Sequence, residues 1–515
     1  MYGAQSLVRT LVDSGVEVTF ANPGTSEMHL VTAIDSTPGM RSVLGLFEGV
    51  VTGMADGYAR IAEKPAATLL HLGPGLANGL ANLHNARRAS SPVVNIVGDH
   101  ATHHLHLDAP LASDIVGFAR PVSGWVHSAT HPLTVGSDAA RAVQAARQWP
   151  GQVATLILPA DVAWTEGGVV APPLPVTGPA DVDQALVDAA AAAIRSGRKV
   201  GILMRGEALK ERGLLAAGRV ATAGDVRLMC DTFSPRIQKG AGRVAVQRLP
   251  YFAEQLVAFM ADLEVLVIVG TKPPVTFFAY PGKPSKGTAE HTETIHLAHA
   301  HHDTVGALEA LADLLGVGSA VPATAEWKID DTVGDALDGF AVGRSIARHL
   351  PEGAIISDEG GTAGGGSQIA LAAAAPHDAL SLTGGSIGQG LPVATGAAVA
   401  ANGSRKVVCL HGDGGAMYTV QSLWTQAREN LDVTTVIFAN RSYAILNIEL
   451  QRTGAGPAGE KARAMLDLSN PALDWVQIAG GMGVEAVRVD TAEAFDAAFS
   501  SAMRQSGPRL IEAVV

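Results

Sequence analysis

Only two of the 515 residues are cysteine, Cys230 and Cys409, and both lie in apolar, strand-like runs. Such a count excludes a disulfide framework and predicts buried reduced thiols, which fits a cytoplasmic location. Positive charge is scarce: 37 Lys and Arg face 49 Asp and Glu, for a formal net charge of −12. No polyanion-binding surface is expected from that balance, so nucleic acid is not an expected partner. Charged residues of both signs make up only 17% of the chain, which argues against long disordered tails. Long apolar runs are absent too. Val265-Leu266-Val267-Ile268-Val269 is among the longest and falls far short of the roughly 20 residues that a membrane span requires. The first nine residues lack a basic start followed by an apolar block, so no signal peptide is expected. What the chain does hold is 47% hydrophobic residues and 58 glycines. The first supplies several cores. The second predicts many tight strand-to-helix turns of the kind that approach phosphates.

At roughly 150 residues per domain the length implies about three domains. Short apolar runs alternate with amphipathic stretches throughout, which is βαβ periodicity. Buried parallel strands are predicted at Val16–Phe20, Ser42–Phe47, Ala66–His71, Val93–Val97 and Val153–Leu158, with helices at Gly49–Ile61 and Leu76–Ala89. Four prolines between Pro172 and Pro179 break both helix and strand, so a linker is expected there. A second α/β block opens with a helix at Asp181–Ser196, followed by strands at Lys199–Met204, Val226–Cys230, Leu263–Gly270 and Thr292–His299. After a weakly patterned stretch, Gly316–Ala325, a third block has strands at Ala354–Ser357, Ala379–Leu382, Lys406–His411, Val433–Ala439, Val484–Val489 and Leu510–Val515. The expectation is an α/β protein of three doubly wound parallel-sheet domains, at residues 1–170, 180–318 and 335–515.

The most specific stretch is Cys409-Leu410-His411-Gly412-Asp413-Gly414-Gly415-Ala416, with Phe438-Ala439-Asn440-Arg441-Ser442-Tyr443 beyond it. Asp413 and Asn440 are 27 positions apart, each at the carboxyl end of a predicted strand that leads into a helix. Ligands of open α/β sheets bind at that edge. The glycines admit phosphate oxygens to the backbone amides, and Asp413, Asn440 and the Ser442 carbonyl are hard oxygen donors suited to Mg²⁺. The paired segments resemble the thiamine diphosphate signature of the pyruvate decarboxylase and acetolactate synthase superfamily. There an Asp, an Asn and a carbonyl hold Mg²⁺ on the cofactor diphosphate. The resemblance implies cofactor contacts at Gly412 to Ala416, Asn440, Ser442 and the helix start Tyr443, Ala444 and Ile445.

It extends to the other end of the chain. Leu46-Phe47-Glu48-Gly49 looks like the segment whose Glu hydrogen-bonds the aminopyrimidine and so drives C2 deprotonation; the alternative for Glu48 is a helix-start acid on first-turn amides. Asn22-Pro23-Gly24-Thr25-Ser26-Glu27 is similar to the Pro-Gly turn beside the pyrimidine, carried by Pro23 and Gly24. Gly384-Gly385-Ser386-Ile387-Gly388-Gln389-Gly390 resembles the segment that bends the cofactor. Ile387 would wedge between its rings and the Gly385 carbonyl would accept from its 4′-amino group; the alternative for Ile387 is a plain core residue. Gly361 and Thr362 would lie near the diphosphate. Such enzymes place Glu48 of one subunit opposite Asp413 and Asn440 of its partner, which implies a homodimer or homotetramer.

His71, 23 positions after Glu48, occupies the place of a proton-moving His in benzoylformate decarboxylase and would favour aldehyde release over carboligation. The alternative is a strand-end His bonded to backbone. No second His occurs near Val275–Tyr280, where Phe277 or Phe278 would shape an apolar pocket instead. The adjacent His103 and His104 lie too close to Glu48 in sequence for the pocket pair of pyruvate-type decarboxylases. Neither these nor His299, His301 and His302 have the spacing of a metal cluster. Gly201–Glu207 holds one arginine, Arg205, so FAD is not expected in the central domain. The implied activity is decarboxylation of a 2-oxo acid through a C2 carbanion/enamine, as a carboligase or a decarboxylase. Two alternatives stand beside it: an FAD-containing, pyruvate oxidase-like enzyme, and a non-catalytic nucleotide-binding protein.

Overall fold

The structure, a computed structural model, describes residues 1–329, 333–334 and 336–515. Residue 335, the expected start of the third domain, lies outside the described residues. Three parallel-sheet α/β domains are present. In the first, β1 (Val18–Asn22), β2 (Arg41–Leu44), β3 (Ala66–Leu70), β4 (Val93–Asp99), β5 (Trp125–Ser128) and β6 (Val153–Pro159) run in the order β2-β1-β3-β4-β6-β5. The second contains β7 (Val200–Met204), β8 (Val226–Cys230), β10 (Gln247–Arg248), β11 (Val265–Val269) and β12 (Glu293–Ala298), ordered β10-β8-β7-β11-β12. The third contains β13 (Ile355–Glu359), β14 (His377–Ser381), β15 (Val407–Gly412), β16 (Val433–Ala439), β17 (Glu485–Val489) and β18 (Arg509–Val514). Its order is β17-β18-β16-β15-β13-β14, extended at the edge by β9 (Ile237–Lys239).

Strands β3, β6, β11 and β16 are buried along their whole length, as expected of parallel strands covered by helices on both faces. Polar edge strands were harder to foresee. β5 is only half-buried, and β9 carries Gln238 and Lys239. β9 pairs antiparallel with β14 although it lies between two strands of the second sheet in the chain. The predicted strand Ser42–Phe47 stops at Leu44; Phe47 is extended and caps the helix Glu48–Ala62. The helix predicted from Leu76 begins at Leu72 and carries Pro74 in its first turn, where a missing N–H costs nothing. Both cysteines are buried and free. No helix among the described residues is long and apolar enough to cross a membrane.

One hydrophobic core serves the first and third domains together, containing Phe20, Val50 and Leu70 as well as Leu391, Ala394 and Ile437. At its centre the helix Glu48–Ala62 crosses the helix Gly390–Ala401, both buried almost all round. Glycines set their separation. A side chain at Gly57 or Gly396 would overlap the carbonyl of Val393 or Met54, and one at Gly53 would reach Pro392 at 2.6 Å.

A buried polar knot crosses this junction. Arg60 donates to both oxygens of Asp56, at 2.8 and 2.6 Å, and to the carbonyls of Pro235 and Ser381. Ser91 and Gln389 donate to the same Asp56 carboxylate. Removing one partner of a buried pair strands the other charge. Arg60→Ala is therefore expected to lower unfolding stability by about 3–5 kcal/mol, read from chemical denaturation.

Candidate active site

The carboxyl edge of the third sheet gathers the residues of the predicted diphosphate and metal site. β15 ends at Gly412 and β16 at Ala439, so Asp413 and Asn440 emerge side by side on neighbouring strands. The Asp413 carboxylate accepts from Gly414 N at 2.8 Å and from Arg441 N at 2.7 Å, which ties the two turns together. Burial pushes the Asp413 carboxyl above the ordinary carboxylate range, against the pull of those amides. A desolvated acid of that kind gains from a cation beside it. Asn440 Oδ1 accepts from Ser442 N at 3.1 Å, and Asn447 holds the Ser442 hydroxyl at 3.0 Å. Arg441 sits between them at φ 54°, a left-handed conformation costly for a side chain of its size.

Space around this edge is kept by glycine. Gly361, at φ 58°, and Gly385, at φ 76°, would meet nothing within 4 Å if they carried a side chain, and Gly412 would meet nothing nearer than 3.9 Å. At Gly414 a side chain would run into Tyr443, at 2.5 Å. Thr362 is exposed on the same turn as Gly361. The helix Ala444–Arg452, which contains Ile445, begins directly after Tyr443. Oxygen donors at Asp413, Asn440 and Ser442 beside an open glycine cradle fit a Mg²⁺-diphosphate. Ile387 is 39% exposed within the chain, so its own subunit does not bury it.

A second group lies at the carboxyl edge of the first sheet. Glu48 is the first residue of its helix and accepts from Asn78 Nδ2 at 2.9 Å. Gly75 is wedged between Glu48 and His71: a side chain there would meet Glu48 Oε1 at 3.3 Å and His71 Cβ at 3.4 Å. His71 follows β3, and its imidazole fills the place a side chain at Gly24 would take. Pro23 begins that turn. The next residue, Leu72, is held at φ 50°, a conformation rare for a bulky side chain and a mark of a constrained site.

The sequence reading overlooked Glu27. It is 1% exposed, and its carboxylate accepts from Gly24 N at 2.8 Å and Ser26 Oγ at 2.9 Å and meets His71 Nδ1 at 2.7 Å. Burial behind the Pro-Gly turn, which no spacing rule signals, makes it the orienting partner of the imidazole. Ser26 also approaches Nδ1, at 3.4 Å. A nucleophilic serine would need the opposite ring nitrogen, so this is not a hydrolytic triad. Glu27 on Nδ1 leaves Nε2 as the nitrogen able to serve a substrate.

Within one chain the two groups sit at different points of the helix Leu72–Ala89. Asn78 holds Glu48, whereas Asn85 holds Ser386 through bonds of 2.8 and 3.2 Å. Seven residues of helix separate them by roughly 10 Å. His103 is exposed and lies 3.8 Å from Asp161, and Phe277 packs on Phe233 and Tyr251. His299 stacks on His296 and His301. Among the described residues no group of three or more His, Cys, Asp or Glu is arranged to hold a metal. A cavity of about 960 Å³ lies mainly between the first and second domains, with Thr383 of the third on its wall. Arg205 on its wall is paired with Asp231 at 2.6 Å.

The site residues thus fall into two groups at the carboxyl edges of two sheets, one with a carboxylate and a clamped imidazole and one with an oxygen-donor cradle. Residues 1–120 match the thiamine pyrophosphate enzyme N-terminal TPP binding domain, and residues 360–513 match the C-terminal TPP binding domain. A Mycobacterium tuberculosis protein provisionally named acetolactate synthase large subunit IlvX is 51% identical over 517 residues, spanning 100% of this chain and 99% of its own. Benzoylformate decarboxylase of Pseudomonas aeruginosa is 27% identical over 97% of this chain and 96% of its own. The solved Rhodococcus jostii 4-hydroxybenzoylformate decarboxylase has the same fold, with a TM-score of 0.84 at 23% identity over 100% of this chain and 99% of its own. The chain belongs to the acetolactate synthase and benzoylformate decarboxylase family of thiamine pyrophosphate-dependent enzymes.

Proposed function

We propose that this enzyme decarboxylates a 2-oxo acid with thiamine diphosphate and Mg²⁺, and that it releases an aldehyde in preference to joining a second substrate. The observation that carries this reading is the 2.7 Å contact between His71 and the buried Glu27, beside Glu48. Bound thiamine diphosphate supplies a carbon nucleophile and an electron sink for the loss of CO₂. Asp413, Asn440 and the Ser442 carbonyl would hold Mg²⁺, and Gly412 to Ala416 with Tyr443, Ala444 and Ile445 the diphosphate. Glu48 would hydrogen-bond the aminopyrimidine whose activation the chemistry needs, while Gly385 and Ile387 would pack against the cofactor. Pro23, Gly24, Gly361 and Thr362 line the remaining contacts. Glu27 holds His71 through Nδ1, so Nε2 would be the nitrogen able to pass a proton taken up from solvent to the carbon that has lost CO₂, which would favour an aldehyde product.

The relative named acetolactate synthase supports the second reading, carboligation to an acetolactate-type product. Headspace CO₂ together with product analysis on pyruvate, branched and aromatic 2-oxo acids separates the two. Aldehyde as the main product supports the first reading; an acetohydroxy acid as the main product overturns it. Glu27→Gln is expected to lower kcat roughly 10–100-fold, as loss of an orienting partner does, with thiamine diphosphate affinity unchanged by fluorescence titration.

The active unit is a homodimer or homotetramer in which Glu48 of one subunit faces Asp413 of the next. The separate anchoring of Glu48 and Ser386 along one helix supports this arrangement. The domain division at 1–170, 180–318 and 335–515, a cytoplasmic location and a central domain without FAD complete the reading. Arg205, already paired with Asp231, supports the last of these. The purified protein is expected to be colourless, and a flavin absorbance band would instead favour the oxidase alternative.

A further inference from the structure

β13 ends in two consecutive carboxylates, Asp358 and Glu359, and neighbouring residues of a strand face opposite ways. Asp358 accepts from Gly360 N at 3.1 Å and Gln368 Nε2 at 2.8 Å, on the side of the Gly361 turn. Glu359 faces the other way into the protein, its side chain only 7% exposed. One of its oxygens accepts from Gly388 N at 2.7 Å and the other from Gly390 N at 2.6 Å. His411, fully buried, approaches the second oxygen at 3.2 Å. Burial opposes the charge on Glu359, yet the imidazole and the two amides hold its carboxyl below the usual range.

Those two amides form the inner leg of the loop whose outer crest carries Gly385 and Ile387. Thr419 Oγ1 fixes the same leg by donating to the Gly388 carbonyl at 2.8 Å, and Asn85 fixes the crest at Ser386. Gly388 sits at φ 88°, and a side chain there would meet Tyr418 at 2.6 Å, so the loop is closely confined. A buried ionised carboxylate with one amide on each oxygen is a stiff two-point support. Its companion His411 directly precedes Gly412 and Asp413, so one buried pair braces both the cradle turn and the crest.

We infer that Glu359 is a positioning residue for the Gly385–Ile387 crest, setting the carbonyl and the apolar side chain that meet the cofactor without touching it. This rests on the thiamine diphosphate reading given above. Displacement of a reacting geometry by about 1 Å costs on the order of 100-fold.

The test uses the full-length protein carrying Glu359→Gln, whose amide presents an N–H to one of the two backbone donors. Two readouts are taken. Backbone hydrogen exchange of residues 384–390 in the cofactor-free protein is expected to lose protection. With saturating thiamine diphosphate and Mg²⁺, deuterium exchange at the cofactor C2 is expected to slow about 100-fold, while cofactor affinity changes far less. Unchanged C2 exchange in Glu359→Gln overturns the inference. If that variant does not fold, Thr419→Val loosens the same leg from its other side, and slowed C2 exchange is again expected; wild-type exchange there overturns the inference. Wild-type protein that neither binds thiamine diphosphate nor accelerates C2 exchange rejects the functional reading itself, a different outcome from a normal Glu359→Gln.

Discussion

Glu48→Gln is expected to lower kcat by about 10²–10⁴-fold, the range that a positioned proton donor or acceptor contributes. The change keeps size and one oxygen, so the bond that Asn78 donates can survive. It also lies outside the buried face that packs on Gly390–Ala401, which begins at Gly49. The thermal midpoint is therefore expected to match wild type, and cofactor affinity to change little. Steady-state assays beside thermal unfolding check this directly. Wild-type turnover in a folded Glu48→Gln protein contradicts the assigned role.

Asp413→Ala is expected to act on binding rather than on proton transfer. Loss of an outer partner of a metal ligand costs roughly 10–100-fold in metal affinity, and loss of the one charged ligand exceeds that. Titration of the protein with Mg²⁺ and thiamine diphosphate is expected to show at least about 100-fold weaker binding. Without cofactor the same variant also frees Arg441 N, the contact that ties the Asn440 turn to its neighbour. Unaltered cofactor binding would remove Asp413 from the metal site.

Much of this architecture was legible from residue order, and for identifiable reasons. Parallel strands such as the fully buried Val433–Ala439, and Val226–Cys230 with its buried second half, announce themselves as largely apolar runs, and both emerge with the predicted bounds. The Asp413 and Asn440 segments were legible because glycines and hard donors recur at strand ends with fixed spacing. Tertiary context decided the rest. β9 is three polar-flanked residues recruited across the chain to the edge of another sheet, which no local periodicity encodes. Glu27 resembles any turn acid until folding buries it against His71. Glu359 and His411 look like the tail of one strand and the head of a motif; only the sheet brings them to 3.2 Å. Sequence periodicity thus reports which faces are buried, whereas carboxylate–imidazole pairs formed between distant segments are visible only in three dimensions.

The central claim is that a carboxylate from one polypeptide and a metal anchor from another complete each catalytic centre. Co-expression of Glu48→Gln and Asp413→Ala chains with different tags tests it most directly. A hybrid dimer isolated through both tags contains one doubly altered centre and one intact centre, so about half of wild-type activity per dimer is expected from two inactive parents. A hybrid as inactive as its parents would place Glu48 and Asp413 in the same chain's site and contradict the account.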